Sequence, residues 1–200
     1  MKKIGLLGGT FNPIHNGHLY IASEAKAKFD LEEIIFMPAG NPPHKRSREI
    51  LSGIMRSEMV KAAVEGYTGF TLCDYEINKK GYSYTFETLQ HLNKLYEDVE
   101  IYFITGADCL MELSSWRRVE EILELSKFVV FKRPGYNLQE LLKQKEKVEK
   151  HYNKEIFFLD LLEMDISSTD IRRRIKNSEE YRFFLPDRVY RIIEKLNLYR

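Results

Sequence analysis

Short apolar segments alternate with longer amphipathic segments along most of the 200-residue chain. The short segments are rich in Ile, Val, Leu and Phe and lack regular apolar–polar alternation, which is typical of strands covered on both faces of a sheet. The pattern predicts strands at residues 3–8, 33–38, 70–76, 99–105, 127–133 and 155–160.

The segments between these strands carry apolar residues at helical spacing. In residues 17–29, Ile21, Ala22, Ala25 and Phe29 fall on one stripe. A second helix is predicted to begin after the N-cap Ser52 and to end near Gly66. Further helices are predicted over residues 84–96, 137–151, 169–176 and 186–198.

This alternation indicates an α/β fold: a single Rossmann-like, doubly wound domain with a mostly parallel sheet and helices on both faces. We find no internal repeat, low-complexity tract or long linker, so residues 1–200 are predicted to form one domain, with a helical C-terminal part from about residue 167.

Composition and charge exclude several classes of protein. The net charge of +1, with 44% hydrophobic and 30% charged residues, is unlike that of a nucleic-acid-binding module. The apolar run after the first lysines is too short for a secretory signal, and no segment is long enough to span a membrane. A cytoplasmic location is predicted. Cys73 and Cys109 form no CxxC motif, so neither a disulfide framework nor a thiolate zinc site is indicated.

The first motif, GGTFNPIHNGH at residues 8–18, directly follows the first strand. Glycines let the backbone approach a ligand closely, and the helix that follows offers free N–H groups and a positive dipole end. The motif matches neither GxGxxG nor GxxxxGK[ST]. His15 and His18 can both lie at the helix start and donate to phosphate oxygens. A transition-metal pair and a purely structural turn are the alternatives.

The second motif, ISSTDIRRRI at residues 166–175, leads into a basic helix. Taken alone, Ser167 and Asp170 fit a helix-capping box. Hydroxyls and free N–H groups at a helix start also form an anion site, to which Arg172 would add a forked charge. Arg173 and Arg174 are predicted to lie on a solvated face. Two phosphate-type turns in one small domain indicate a polyphosphate ligand.

These motifs resemble the GxFxPxHxGH and ISSTxIR signatures of the HxGH nucleotidyltransferases. The chain is more narrowly similar to the bacterial nicotinate-nucleotide adenylyltransferases, through NPPHK (41–45), KKGYSYTFETL (79–89), FITGAD (103–108), Trp116 and KRPG (132–135). The resemblance implies transfer of AMP from ATP, accompanied by Mg²⁺, to nicotinate mononucleotide. The products would be deamido-NAD and pyrophosphate, formed in NAD biosynthesis by in-line attack without a covalent intermediate. No protein ligand for the metal is predicted, because the ATP phosphates would hold it.

The resemblance also implies roles for individual residues. His15, His18 and Arg172 would act in catalysis. The ATP-binding residues would be Gly8, Gly9, Thr10, Phe11, Ile166, Ser167, Ser168 and Thr169, with Ile166 near the adenine. The residues for nicotinate mononucleotide would be Lys45, Thr85, Gly106, Asp108 and Trp116. Among these, Lys45 would approach phosphate, Gly106 and Asp108 the ribose, and Thr85 and Trp116 the pyridine ring.

The sequence leaves several alternatives open. Trp116 could be a partly buried core residue, and both GYSYT and PPHK could be polar surface segments. The family often carries Asp where this chain has Asn12, which keeps the hydrogen-bonding shape but lacks the charge. Other acceptors, namely nicotinamide mononucleotide or phosphopantetheine, a nucleotide sensor without turnover, and a homo-oligomer also remain possible.

Overall fold

The computed structural model of the chain describes residues 1–40, 50–132, 137–162 and 164–200. These residues form one six-stranded sheet in which all neighbouring strands are parallel, in the order β3-β2-β1-β4-β5-β6. The strands are β1 (Lys2–Gly9), β2 (Glu33–Pro38), β3 (Phe70–Leu72), β4 (Val99–Gly106), β5 (Lys127–Phe131) and β6 (Ile156–Leu159). The predicted α/β, Rossmann-like fold is confirmed.

Helices connect successive strands, and two more follow the last strand. The connecting helices are α1 (Asn16–Lys28), α2 (Gly53–Val64), α3 (Tyr75–Asn78), α4 (Thr85–Leu95), α5 (Ala107–Glu112), α6 (Val119–Leu125) and α7 (Leu138–Tyr152), and those after β6 are α8 (Ser168–Lys176) and α9 (Asp187–Leu196). Ser52 caps α2 as predicted, because its Oγ accepts from the backbone N–H of Met55 across 3.3 Å. Within the described ranges, no helix is both long and apolar enough to cross a membrane. The cytoplasmic location remains a prediction.

Two apolar cores cover the two faces of the sheet. Along β1, Ile4 and Leu6 belong to one core and Leu7 to the other, as the two-residue period of a strand requires. The core that contains Leu7 is shared with α1, α2, α8 and α9. The opposite core is shared with α4, α5, α6 and α7. Because both faces are buried, the strands consist of nearly continuous apolar residues.

The strand predicted over residues 70–76 is wrong beyond Leu72. β3 lies at the sheet edge and pairs only with β2, over Ile34–Phe36. After it, Cys73 N–H donates to the Phe36 carbonyl across 3.0 Å, and residues 75–78 turn into α3. Further along β2 stands Pro38, which lacks the N–H that a longer ladder would use.

The order of the strands reverses at β1. β2 lies on one side of it and β4 on the other. The helix that follows β1, α1, packs on one core, and the helix that follows β4, α5, packs on the opposite core. In open α/β sheets, ligands bind in the crevice beyond the carboxyl ends of the strands at such a point. The first motif begins in β1 at this position.

Candidate active site

His15 and His18 form a stacked pair at the first turn of α1. His15 is the N-cap, with an extended backbone, and its N–H donates to Nδ1 of His18 across 3.2 Å. The ring centroids are 3.7 Å apart, and only 4% of His15 and 9% of His18 are exposed. The imidazoles are therefore held at the positive end of the helix dipole, as the sequence predicts.

The hydrogen bond to Nδ1 fixes the tautomer of His18. An imidazole nitrogen that accepts a hydrogen bond carries no proton, so the proton of neutral His18 lies on Nε2. Nε2–H is therefore a donor whose direction is set by the protein backbone.

Gly17 is packed closely against this pair. A Cβ at this position would lie 3.1 Å from the ring of His15 and 3.6 Å from the Cβ of Ile166. The absence of a side chain lets the His15 ring lie against the first turn of α1 and brings Ile166 from the second motif to the same place.

The glycine-rich turn after β1 is held by its own aromatic residue. A Cβ at Gly9 would lie 2.9 Å from the ring of Phe11, which has φ = +49° and is 2% exposed. This ring packs edge-on against His18 at 5.0 Å. Because the Phe11 ring lies in the core, its predicted contact with ATP would have to come from its backbone. Gly8, at the end of β1, is exposed.

The second motif packs directly onto the first. Ser168 Oγ donates to the carbonyl of Pro13 across 2.8 Å, and Arg172 Nη1 donates to the carbonyl of Asn12 across 2.9 Å. The N-terminus of α8 therefore faces the turn after β1. The structure thus brings together two motifs that lie more than 150 residues apart in the chain.

The side chains of the second motif have different roles. Ser167 caps α8, since its Oγ accepts from the N–H of Asp170 across 3.1 Å, which is the first of the two bonds of the predicted capping box. The Asp170 carboxylate instead accepts from Arg173 and Arg174. Thr169 is exposed, and its Oγ1 lies 3.5 Å from Nη2 of Arg172. Nε of Arg172 is buried and makes no hydrogen bond within the described part of the chain. A buried donor of this kind is expected to have a partner, which a phosphate oxygen would supply.

The side chains of Arg173 and Arg174 lie toward the surface, as predicted. Both pair with the carboxylate of Asp170, at 2.7 Å in each case, and both approach Glu179. The Arg174 and Arg173 hydrogen bonds hold the pKa of Asp170 below its usual range. Their charge is therefore balanced on the helix itself.

Gly106 and Asp108 lie at the carboxyl end of β4, next to the turn after β1. The strand register pairs Leu7 with Ile104, so that Gly9 and Gly106 stand at the same level two residues further. A Cβ at Gly106 would lie 2.4 Å from Oδ1 of Asp108, which shows that this carboxylate folds back over the glycine at the start of α5. The predicted ribose contacts are therefore placed beside the predicted phosphate site.

Thr85 and Trp116 belong to a second group of side chains. Thr85 is the first residue of α4, and Tyr84 before it lies under the guanidinium of Arg117, whose Cζ is 4.5 Å from the ring centroid. Trp116 is half-buried, with its ring edge-on to Phe103 at 6.2 Å. The structure thus joins residues 84–85 to residues 116–117. Lys45 lies outside the described residues.

Arg56 is a buried cation that the sequence reasoning missed. It is 2% exposed and donates to the carbonyls of Thr10 and Ala39, at 2.7 Å each, and to that of Leu51 at 3.1 Å. It thereby ties the turn after β1 to the segments that follow β2 and precede α2. Burial lowers the pKa of the guanidinium. The available signal was its place on the apolar stripe of α2, three residues before Met59.

Glu76 is a second charged residue that was missed, and it is partly buried. Its carboxylate accepts from Thr88 Oγ1 across 2.7 Å, and burial raises its pKa. A Cβ at Gly40 would lie 1.9 Å from the Glu76 carbonyl oxygen, so only glycine fits there. Glu76 therefore connects α4, which begins with Thr85, to the segment after β2 that Arg56 holds.

Across the ranges that the structure describes, no group of three or more His, Cys, Asp and Glu side chains is arranged to hold an ion.

Comparisons with known proteins agree on one family. The chain matches the cytidylyltransferase-like family over residues 6–174. It is 55% identical over 200 residues to the "Probable nicotinate-nucleotide adenylyltransferase" of Clostridium perfringens strain 13. The aligned residues cover 100% of this chain and 99% of that relative. The corresponding protein of Clostridium tetani is 47% identical, with 100% of each chain covered.

The fold is shared with solved structures. The Plasmodium falciparum nicotinic acid mononucleotide adenylyltransferase complexed with NaAD superimposes with a TM-score of 0.80 at 18% identity, covering 100% of this chain and 98% of that one. The structure described as "a Putative Nicotinate-nucleotide Adenylyltransferase from Vibrio parahaemolyticus" gives a TM-score of 0.69 at 21% identity, covering 100% of this chain and 96% of that one. The sequence identity over the full length shows that this chain belongs to the nicotinate-nucleotide adenylyltransferase family.

Proposed function

We propose that this chain transfers AMP from ATP to nicotinate mononucleotide, forming deamido-NAD and pyrophosphate. The observation that carries the proposal is the pair of hydrogen bonds from Ser168 and Arg172 to the carbonyls of Pro13 and Asn12. These bonds set two helix N-termini, those of α1 and α8, around one turn. Two such termini with a guanidinium and two imidazoles suit a polyphosphate chain.

In this proposal, ATP lies across the turn after β1. The backbone of Gly8, Gly9 and Thr10 approaches the phosphates, and Nε2–H of His18 donates to an oxygen on which negative charge builds up. Arg172 reaches the phosphates from α8, using the donor at Nε that lacks a described partner. Ile166 lies beside Gly17, from where it would contact the adenine.

The reaction is a direct displacement at the α-phosphorus of ATP. An oxygen of the 5′-phosphate of nicotinate mononucleotide forms the new P–O bond while the bond to the β-phosphate oxygen breaks, and pyrophosphate leaves with the electron pair. The nucleophile is already an anion, so no base and no covalent enzyme intermediate are needed. Positioning and charge neutralisation supply the catalysis. Mg²⁺ bound to the ATP phosphates would add to that neutralisation.

The acceptor would bind between the two groups of side chains. Gly106 and Asp108 would approach the ribose, and Trp116 would stack on the pyridine ring. Thr85 offers a hydroxyl and the free N–H of a helix start to the nicotinate carboxylate. A nicotinamide would bring an NH₂ that such donors cannot pair, and an unpaired buried donor lowers affinity. Lys45 remains a predicted phosphate contact.

Pyrophosphate release tests this function directly. The purified protein is mixed with ATP, Mg²⁺ and either nicotinate mononucleotide, nicotinamide mononucleotide or phosphopantetheine. We expect rapid release with the nicotinate compound alone. Release with another acceptor would keep the chemistry and contradict the roles of Thr85 and Trp116. Folded protein that binds ATP and releases no pyrophosphate with any acceptor would instead be a nucleotide sensor.

A further inference from the structure

The phenol of Tyr199 is inserted beside the turn that follows β1. Its hydroxyl donates to Oδ1 of Asn12 across 3.0 Å. Tyr199 reaches this position because α9 ends at Asn197, which has φ = +57°, and Leu198 N–H then donates to the Ile193 carbonyl across 3.1 Å. These are the features of a left-handed helix termination, and they turn the chain back toward the sheet.

The backbone of Tyr199 is itself in an unfavourable conformation. Its φ of +66° lies in the left-handed region, which bulky residues rarely adopt. A contact made by the side chain must offset this cost. The hydrogen bond to Asn12 and the burial of the ring are the contacts that the structure provides.

Asn12 is a junction of three segments. Its Oδ1 accepts from Tyr199 and also from the N–H of Leu51, the latter across 3.2 Å. Its main-chain carbonyl accepts from Nη1 of Arg172 across 2.9 Å. The two bonds to Oδ1 anchor the residue whose main-chain carbonyl Arg172 uses, so a shift of the Asn12 backbone moves the acceptor that orients the Arg172 guanidinium.

The surroundings of the phenol keep it protonated. Burial raises the pKa of Tyr199, and the guanidiniums of Arg172 and Arg56 oppose this only in part. The hydroxyl therefore remains a donor to Asn12 over the range in which enzymes of this kind are assayed. Its oxygen, in turn, faces two positive side chains that both hold the turn after β1.

We propose that Tyr199 is a positioning residue for adenylyl transfer: its hydrogen bond fixes Asn12, and Asn12 in turn orients Arg172 toward the ATP phosphates. This inference rests on the function proposed above for Arg172. Tyr199 touches no substrate in this account and acts entirely through its neighbours.

The test compares two tyrosines of the same apolar core, each of which loses a hydroxyl. Tyr199→Phe removes the bond to Asn12. Tyr181→Phe is the control, because Tyr181 is buried, Tyr199 is partly buried against the same core, and the Tyr181 hydroxyl donates to Glu194, away from the turn after β1. Steady-state kcat, the KM values for both substrates and the urea midpoint are measured for each variant.

We expect Tyr199→Phe to lower kcat about tenfold, which corresponds to about 1.4 kcal/mol less stabilisation of the transition state by a misplaced Arg172. Tyr181→Phe is expected to lower the urea midpoint about as much as Tyr199→Phe does and to leave kcat unchanged. Equal kcat values for the two variants would overturn the proposal, since a merely structural hydroxyl would act in the same way at both places.

A double-mutant cycle shows whether the effect passes through Arg172. In an Arg172→Ala background, Tyr199→Phe should no longer change kcat, because the group it positions is gone. The same tenfold loss in both backgrounds would contradict the proposal. If the wild-type protein shows no turnover with any acceptor, the proposed function fails and the cycle is read from ATP affinity. Coupling between the two changes would then support the positioning role, and additivity would reject it.

Discussion

Replacing His18 separates binding from catalysis at the turn after β1. His18→Ala removes three things: the directed Nε2–H donor, the acceptor of the His15 N–H at 3.2 Å, and the ring that stacks on His15 and packs against Phe11. Only the first of these acts on the reacting phosphates. The other two maintain the structure of the turn.

The size of each effect follows from these contacts. Loss of one preorganised donor to a developing oxyanion costs about 10²–10³ in kcat. The lost hydrogen bond costs about 1–3 kcal/mol of folding stability when its partner is buried, and each lost aromatic contact about 0.5–1.5 kcal/mol. We therefore expect His18→Ala to lower kcat far more than ATP affinity, and to destabilise the fold by about 2–6 kcal/mol.

Two further variants identify the atom responsible. His18→Gln retains an amide N–H near the position of Nε2, whereas His18→Asn retains an acceptor near that of Nδ1. Pyrophosphate release under saturating substrates should decrease in the order wild type, Gln, Asn, with Asn close to Ala. ATP affinity is measured separately with a non-hydrolysable analogue. Equal losses of affinity and kcat, or an Asn variant as active as Gln, would refute a catalytic role for Nε2–H.

Three further substitutions test other parts of the site. Arg56→Lys keeps the charge, but lysine lacks the planar guanidinium that bonds carbonyls of three segments at once. Urea denaturation should therefore show a free energy of unfolding lower by about 3 kcal/mol. An unchanged urea midpoint would contradict this role of Arg56. Trp116→Ala should raise KM for nicotinate mononucleotide about 5- to 150-fold, since stacking on a base contributes about 1–3 kcal/mol, while KM for ATP stays constant. A parallel rise in both KM values would argue against stacking. Glu76→Gln tests the buried carboxylate. Its pKa is raised above its ordinary value of 4.5, so the wild type binds more protons folded than unfolded and loses stability as pH rises from 4.5 through the raised value. The variant lacks this loss, and the difference in unfolding free energy between Gln and Glu should grow from pH 4.5 to pH 8. A constant difference would contradict the shift.

The fold could be predicted from the sequence because its elements obey local rules. Strands buried on both faces are continuously apolar, and Ser52 and Ser167 mark helix starts through their own hydroxyls. Residues 75–78 escaped prediction because a single helical turn is too short to show a period. Their strand-like composition continues beyond the point where the edge strand β3 still has a partner.

The sequence allowed the residue types of the site to be predicted, but not the hydrogen bonds that join its two motifs. Arg56 could have been noticed as a charge on the apolar stripe of α2. The acceptors that join the two motifs, however, are the main-chain carbonyls of Asn12 and Pro13. Every residue carries such a carbonyl, so no side-chain pattern distinguishes these two. The position of Tyr199 likewise depends on a left-handed turn at Asn197, which the sequence reasoning did not detect.

The joining of the two motifs also sets the order in which the site can form during synthesis. β1 and its turn leave the ribosome first, and the sheet has all its strands once Leu159 has emerged. Ser168 and Arg172 follow later and close the turn from the other side. At about 5–20 residues per second, the turn after β1 waits on the order of ten seconds or more for this closure. A nascent chain can therefore contain all six strands of the described sheet while it still lacks the α8 side of its phosphate site.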